Sequence, residues 1–473
     1  MFVNTENSTT HPPKGVSKKT TDTTSDASLI DASTAEGPHV PHRSSALLTD
    51  KYELTMLQAS LADGTAHRPC TFEVFARRLP NERRYGVVAG TARVLRAVQD
   101  FVFTEEQLAN LSFLDDTTLD YLRNYHFSGH IDGYREGDLY FPHSPILTVR
   151  GTFAECVVLE TVILSIMNSD SAIASAAARM VTAADGRTLI EMGSRRTHEY
   201  AAVSASRAAY LAGFDATSNL EAAHRYGIPA AGTAAHAWTL VHVNEDGTPN
   251  EEAAFRAQVE SLGVSTTLLV DTYDITKGVE TAIKVAGPEL GGVRIDSGDL
   301  GVLTRQVRKQ LDDLGAHNTK IVVSSDLDEF AIAGLRGDPV DVFGVGTSLV
   351  TGSGAPTAGM VYKLVEVEGR PVAKRSRNKA SYGGAKRAVR TSRNTGTAVE
   401  EVVYPFANDI PTIGTLTSTE LTVPLMRNGS VLEGLPSLQE SREYLAAQLV
   451  TLPWEGLALS RDEPALATRF VGF

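Results

Sequence analysis

Arg294-Ile295-Asp296-Ser297-Gly298-Asp299 sets one cation and two carboxylates into a Ser-Gly turn, directly after the apolar lead-in Gly292-Val293. Two carboxylates so placed suit a sugar's hydroxyls, a metal ion or a developing positive charge. Gly232-Thr233-Ala234-Ala235-His236 is a second candidate, because small residues leave room around the imidazole. A histidine of that kind can accept a phosphoryl group as a covalent intermediate; the bland alternative is a structural histidine. Gly344-Val345-Gly346-Thr347-Ser348 follows an apolar run, and glycine N–H groups beside a helix start fit a phosphate. Its alternative is a tight turn without ligand. Arg195 and Arg196, after Glu191-Met192-Gly193-Ser194, are of the type that pairs carboxylates and phosphates bidentately, or else caps a salt-bridged helix start.

The elements needed to position these residues are legible as a rhythm. Short apolar runs at Thr188–Met192, Ile228–Gly232, Thr267–Val270, Gly292–Ile295, Lys320–Val323 and Asp341–Val345 end in polar or glycine-rich turns, each opening a helical pattern. After the first motif, Leu300, Leu303, Val307, Leu311 and Leu314 recur at spacings of three and four, which predicts an amphipathic helix. Such units in series favour a parallel sheet or a βα barrel. The rim at the C-terminal strand ends, where such folds bind ligands, then gathers Arg195, Arg196, His236, Asp271, Asp274, Asp296, Asp299, Ser324 to Asp326 and Gly346-Thr347.

The flanks read differently. A helix at Leu54–Ala62, a strand at Cys70–Phe75 and a β-rich stretch from Gly129 to Val149 precede the series. Residues 360–395 alternate polar and apolar positions and carry Lys374, Arg375, Arg377, Lys379, Lys386 and Arg387, read as a solvated strand edge or loop, or as a surface near an anionic ligand. A helix at Leu438–Leu449 closes the chain. The expected division is residues 1–45 as a disordered Ser/Thr-rich extension, 46–150 and 361–473 as two parts of one α/β domain, and 151–360 as a barrel carrying the site.

Composition excludes several classes. With 473 residues, 42% of them hydrophobic, a large core is available, and the net charge of -13 argues against a general nucleic-acid binder. Ala154–Met167 is too short and too charged to span a membrane and reads as a buried helix. Cys70 and Cys156 are the only cysteines, so no disulfide framework is available and a reducing cytoplasm is the simplest setting. His198, His224 and His242 lack metal-ligand spacing, which disfavours a zinc enzyme. Residue chemistry alone points to an α/β enzyme acting on a phosphorylated, sugar-containing anion.

The ordered set of motifs resembles the nicotinate phosphoribosyltransferase family. Its pieces are Leu48-Thr49-Asp50-Lys51-Tyr52, Phe72-Glu73-Val74-Phe75, Glu191 to Arg196, Gly213-Phe214-Asp215-Ala216-Thr217-Ser218-Asn219, Gly232 to His236, Arg294 to Asp299 and Phe343-Gly344-Val345-Gly346-Thr347. The resemblance implies an irregular α/β barrel of the type II phosphoribosyltransferase kind, plus an α/β domain built from both chain ends. It implies a homodimer with shared active sites, and ATP-coupled transfer from phosphoribosyl pyrophosphate to nicotinate with magnesium. By that resemblance Asp296, Asp299 and Arg294 act at the ribose and pyrophosphate, and His236 is phosphorylated by ATP. Thr233, Ser325, Gly346 and Thr347 contact substrate, the last two at the 5-phosphate. The pyridine lies between the Met192 region and Tyr52 of the partner subunit, with Arg195 near its carboxylate. Met192 stands where relatives often carry an aromatic, and its thioether can still cover a ring face. Ser218 stands where the nicotinamide-using sister family carries an Asp, which favours the acid over the amide. Quinolinate or nicotinamide transfer, and a sugar-phosphate lyase or isomerase, are the rival readings. The last often needs a strand-end lysine for a Schiff base, which these strands lack.

Overall fold

The computed structural model describes residues 44–374 and 382–473. The N-terminal extension up to residue 43, and Arg375, Arg377 and Lys379 of the basic run, lie outside the described residues.

Six short parallel strands form one sheet in the order Ala216–Thr217, Thr188–Glu191, Val342–Val345, Lys320–Ser325, Gly292–Ile295, Thr267–Leu269. A parallel bridge from Thr217 to Ala230 extends it at one edge. Among the described residues no backbone pairing joins Ala230 to Thr267–Leu269; side chains span that gap instead. Apolar residues on successive strands, among them Leu189, Leu268, Val293, Val323 and Phe343, are buried in a core they share with the surrounding helices. The helix Leu300–Asp313 follows the Asp-Ser-Gly-Asp turn as the spacing predicts and buries Val307 and Leu311.

Two sequence expectations need correction. Ile228–Gly232 is not a strand: Pro229 lacks an N–H to donate, and only Ala230 pairs. The strand beside it is Ala216–Thr217, two residues long and too short to show an alternating pattern. The stretch Ala154–Met167 is not one helix but parts of two, Phe153–Val157 and Glu160–Ala184. The break is stabilised by Glu53, which accepts the Thr161 N–H at 3.0 Å and so satisfies a first-turn donor of the second helix.

That second helix organises the molecule. Its 25 residues span about 37 Å at 1.5 Å per residue. Val162, Ile163 and Met167 enter one hydrophobic core, while Ile173, Ala174, Ala177, Ala178 and Met180 enter the core of the parallel sheet. The alanines let the helix Glu199–Leu211 approach closely. The other core lies under a seven-stranded antiparallel sheet ordered Arg370–Pro371, Met360–Val367, Pro69–Ala76, Leu147–Thr152, His130–Gly133, Val423–Arg427, Ser430–Val431. It draws strands from both ends of the chain. A four-stranded sheet ordered Thr417–Glu420, Lys386–Ser392, Ala398–Pro405, Ala467–Phe470 adjoins it. Lys386 is buried against Glu73 at 2.8 Å, and Arg387 pairs with Glu420. These two cations of the basic run therefore serve packing and do not form a surface for an anion.

Where the two cores meet, Arg207 is fully buried against Glu136, with its two terminal guanidinium nitrogens at 2.6 and 2.8 Å. Glu136 also accepts the Gly90 N–H at 2.6 Å, tying the first core to the helix that flanks the rim. Arg207→Ala leaves that carboxylate buried without its cation. It is expected to lower unfolding stability by about 3–5 kcal/mol, measured by chemical denaturation. A loss below about 1 kcal/mol would show the pair to be dispensable.

Candidate active site

The rim assembles around Asp271, the residue that follows the strand Thr267–Leu269 by two positions. Its side chain is 1% exposed. One oxygen accepts the Asp296 N–H at 2.7 Å and the Ser297 hydroxyl at 2.9 Å, clamping the Asp-Ser-Gly-Asp turn of the neighbouring strand. The other, Oδ1, has no hydrogen-bond partner among the described residues and lies 3.9 Å from His236 Nε2. Asp296 Oδ2 lies 3.9 Å from the same nitrogen, and the His236 Nδ1 is 3.1 Å from the Thr272 hydroxyl. The imidazole is 40% exposed, so one histidine faces two carboxylates and solvent together.

Arg294 spans the gap in the sheet. Its guanidinium donates to Ser324 Oγ at 2.6 Å, to Thr233 Oγ1 at 3.1 Å and to Asp296 Oδ1 at 3.3 Å. Ser324 in turn donates to Asp296 Oδ1 at 2.6 Å. Thr233 and His236 thus reach the strand ends through side chains, although the segment that carries them pairs only at Ala230. Arg294 is mostly engaged inside the protein, and its first task is to hold this loop.

A second pair of turns lies alongside. Met192 donates its N–H to Val345 O at 2.8 Å, bringing the Arg195 turn against Gly346. Close approach requires glycine at two places. A Cβ on Gly344 would lie 2.7 Å from Met192 Sδ, and one on Gly193 would lie 2.2 Å from Val350 Cγ1. Arg195 is exposed within the single turn Ser194–Arg196, with Arg196 also exposed. Ser218 is exposed and donates its N–H to Glu191 O at 2.8 Å. Thr347 is exposed at the start of the short helix Thr347–Val350, and Ser325 is exposed at the end of its strand.

Other expected site residues have local duties. Asp299 and Asp274 are N-caps, accepting from Val302 N at 3.1 Å and Lys277 N at 2.9 Å. Tyr52 lies in the first domain on the helix Lys51–Asp63. Partial burial and the nearby Glu160 and Glu53 carboxylates push its phenol up to about 12, so it stays neutral. A cavity of about 410 Å³ sits far from this chemistry, at Arg150 and Glu366 on the seven-stranded sheet, and shares no residue with the rim. Its ionised groups are engaged locally: Arg150 pairs with Asp132 at 2.6 Å, and Glu155 accepts from Ser128 and Thr152. Sequence reasoning gave no role to Glu191 or Thr217, and named Asp271 and Ser324 only as polar strand ends. An acid directly before a glycine turn, as in Glu191, is the available signal.

Residues 47–168 match the family model of the nicotinate phosphoribosyltransferase (NAPRTase) N-terminal domain, and residues 188–398 that of the nicotinate phosphoribosyltransferase (NAPRTase) family. The chain is 63% identical over 428 residues to the nicotinate phosphoribosyltransferase pncB1 of Mycobacterium tuberculosis, covering 90% of this chain and 95% of that one. It is 40% identical over 339 residues to the nicotinate phosphoribosyltransferase of Bacillus subtilis, covering 68% and 67% respectively. The solved structure of human nicotinic acid phosphoribosyltransferase matches with a TM-score of 0.75 at 27% identity, covering 89% of this chain and 97% of that one. With its motifs gathered at one end of a parallel sheet and two family models matched along its length, the chain belongs to the nicotinate phosphoribosyltransferase family.

Proposed function

We propose that this protein transfers the phosphoribosyl group of phosphoribosyl pyrophosphate to nicotinate. The products are nicotinate mononucleotide and pyrophosphate, in the entry step of NAD salvage from nicotinate. Family membership supports the reaction, and the convergence of Asp271, Asp296, Arg294 and His236 on one rim is the observation that carries it.

The chemistry follows from the groups. The pyridine nitrogen forms a bond to the anomeric carbon as the C–O bond to pyrophosphate breaks, and that bond's electron pair leaves with pyrophosphate. The ribose gains positive charge in passing. Asp296, with Asp299 beside it, holds the ribose hydroxyls and favours that charge electrostatically. Gly346 and Thr347, with Ser325 nearby, take the 5-phosphate. Arg195 meets the nicotinate carboxylate, Met192 covers the ring, and Thr233 lies at the substrate's edge. Magnesium suits this site as an ion held mainly by pyrophosphate oxygens and waters. Hard carboxylate oxygens stand nearby, and no group of three or more His, Cys, Asp or Glu converges on a metal position among the described residues.

ATP enters through His236. A ring nitrogen attacks the γ-phosphorus, the bond to the ADP oxygen breaks, and water later releases phosphate from the histidine. N-phosphorylation leaves the imidazole cationic when the other nitrogen keeps its proton. Asp271 and Asp296, each 3.9 Å from Nε2, stabilise that cation.

A homodimer with shared sites is part of the proposal. Tyr52 and Met56, four residues apart on the helix Lys51–Asp63, and Leu48 in the turn before it are exposed, which supports a partner covering that surface and Tyr52 entering the partner's site. The division into a barrel of residues 151–360 and a second domain from 46–150 and 361–473 is supported by the sheet that mixes strands from both ends. The free, buried thiols of Cys70 and Cys156 support a cytoplasmic setting.

Incubation with phosphoribosyl pyrophosphate, magnesium and ATP, followed by product chromatography, should give nucleotide from nicotinate in preference to nicotinamide or quinolinate. Preferred use of either other base would overturn the assignment. His236→Ala is expected to abolish ATP coupling while leaving slow ATP-independent transfer. An unchanged ATP stoichiometry per nucleotide formed would contradict the role given to His236. Ser218→Asp should lose nicotinate turnover, because a second carboxylate repels the acid. Intact nicotinate kinetics in that variant would refute this account of selectivity.

A further inference from the structure

Glu191 is 1% exposed and, among the described residues, forms no ion pair, an expensive state for a carboxyl group. Its partners explain why it is held. One oxygen accepts the Gly193 N–H, and the other accepts the Thr217 hydroxyl at 2.5 Å and faces the Ser206 hydroxyl at 2.9 Å. Thr217 Oγ1 also accepts the Asn219 N–H at 3.0 Å, and Asn219 Nδ2 donates to Ser194 Oγ at 2.9 Å. These contacts close a ring that runs from Glu191 through the Arg195 turn, across to the Ser218 turn, and back through Thr217. The Ser218 N–H adds a further tie to the Glu191 carbonyl.

We infer that Glu191 and Thr217 are positioning residues for substrate selection, fixing the separation between Arg195 and Ser218 and so the fit of the slot for a planar aromatic carboxylate. This rests on the reading that Arg195 and Ser218 face nicotinate. A glutamine at 191 cannot serve all these donors. Turned one way its amide nitrogen opposes the Gly193 N–H; turned the other it takes away the acceptor of the Thr217 O–H, so the hydroxyl that donates to Glu191 must turn its proton elsewhere. Thr217→Val removes both the donor to Glu191 and the acceptor of the Asn219 N–H with little change of shape, and Thr217→Ser restores them.

Steady-state kinetics on these three variants and on Arg195→Ala test the inference. Glu191→Gln and Thr217→Val should each raise KM for nicotinate about tenfold, the scale of one buried hydrogen bond. KM for phosphoribosyl pyrophosphate should stay unchanged, the preference for nicotinate over nicotinamide should fall, and Thr217→Ser should return parental values. Should Glu191→Gln fail to fold, the Thr217 pair carries the comparison. If Arg195→Ala raises KM for nicotinate while Thr217→Val does not, or if Thr217→Val raises both KM values equally, the positioning role is overturned and the nicotinate-facing reading stands. If Arg195→Ala leaves KM for nicotinate unchanged, that reading fails and the inference falls with it.

Discussion

Asp271 accepts a backbone N–H and a hydroxyl from the turn at the end of the next strand, and this contact is the constraint on which the rim depends. Parallel strands bring their C-terminal ends to one edge, but they do not by themselves fix the direction of the turns that leave it. A carboxylate that clamps Asp296 and Ser297 through one oxygen fixes the first turn. Its other oxygen, without a hydrogen-bond partner among the described residues and 3.9 Å from His236, gives the loop on the far side of the gap an electrostatic target. Arg294 completes the join from the opposite side through Thr233. Backbone pairing is lacking across that gap among the described residues, so side-chain chemistry takes its place, at the spot where ribose and phosphohistidine chemistry are proposed to meet.

The scaffold makes such a rim tolerable. A single helix, Glu160–Ala184, contributes to both hydrophobic cores, so the parallel sheet is anchored to the antiparallel one along a continuous rod. The buried ion pair Arg207–Glu136 and the half-buried pair Arg93–Asp170 fix the junction. Glycines at 193 and 344 let the Met192 turn lie directly on the end of Val342–Val345, which sets the proposed nicotinate side of the site beside the proposed phosphate side. Each substitution of these glycines would force backbone or core side chains to move.

Much of this was legible in the sequence, for identifiable reasons. Strand ends marked by apolar runs and polar turns located the rim, because burial and ligand binding alternate along a βα series. The helix after Asp299 was legible from periodicity, and the helix Leu438–Thr451 likewise. What stayed hidden depended on partners distant in sequence. Asp299 and Asp274 sit where a strand gives way to a helix, a position that suits a cap as well as a ligand, so type and spacing alone do not separate the two roles. Arg294 looked free to meet an anion, yet three of its contacts lie on other segments or in its own turn. Lys386 belonged to an apparently solvated basic run, but its charge is buried on Glu73 from the other end of the chain. Glu191 was read as part of a motif, while its function as a hydrogen-bond hub follows only once Thr217 and Ser206 are in place.

The central claim is that the rim couples ATP to nucleotide formation through His236. Peptide mapping after incubation with γ-phosphate-labelled ATP tests it most directly. The account predicts acid-labile label on the peptide containing His236, discharged when nicotinate and phosphoribosyl pyrophosphate are added as nicotinate mononucleotide forms. Label on another residue, or ATP-driven nucleotide formation with no labelled histidine, would contradict it.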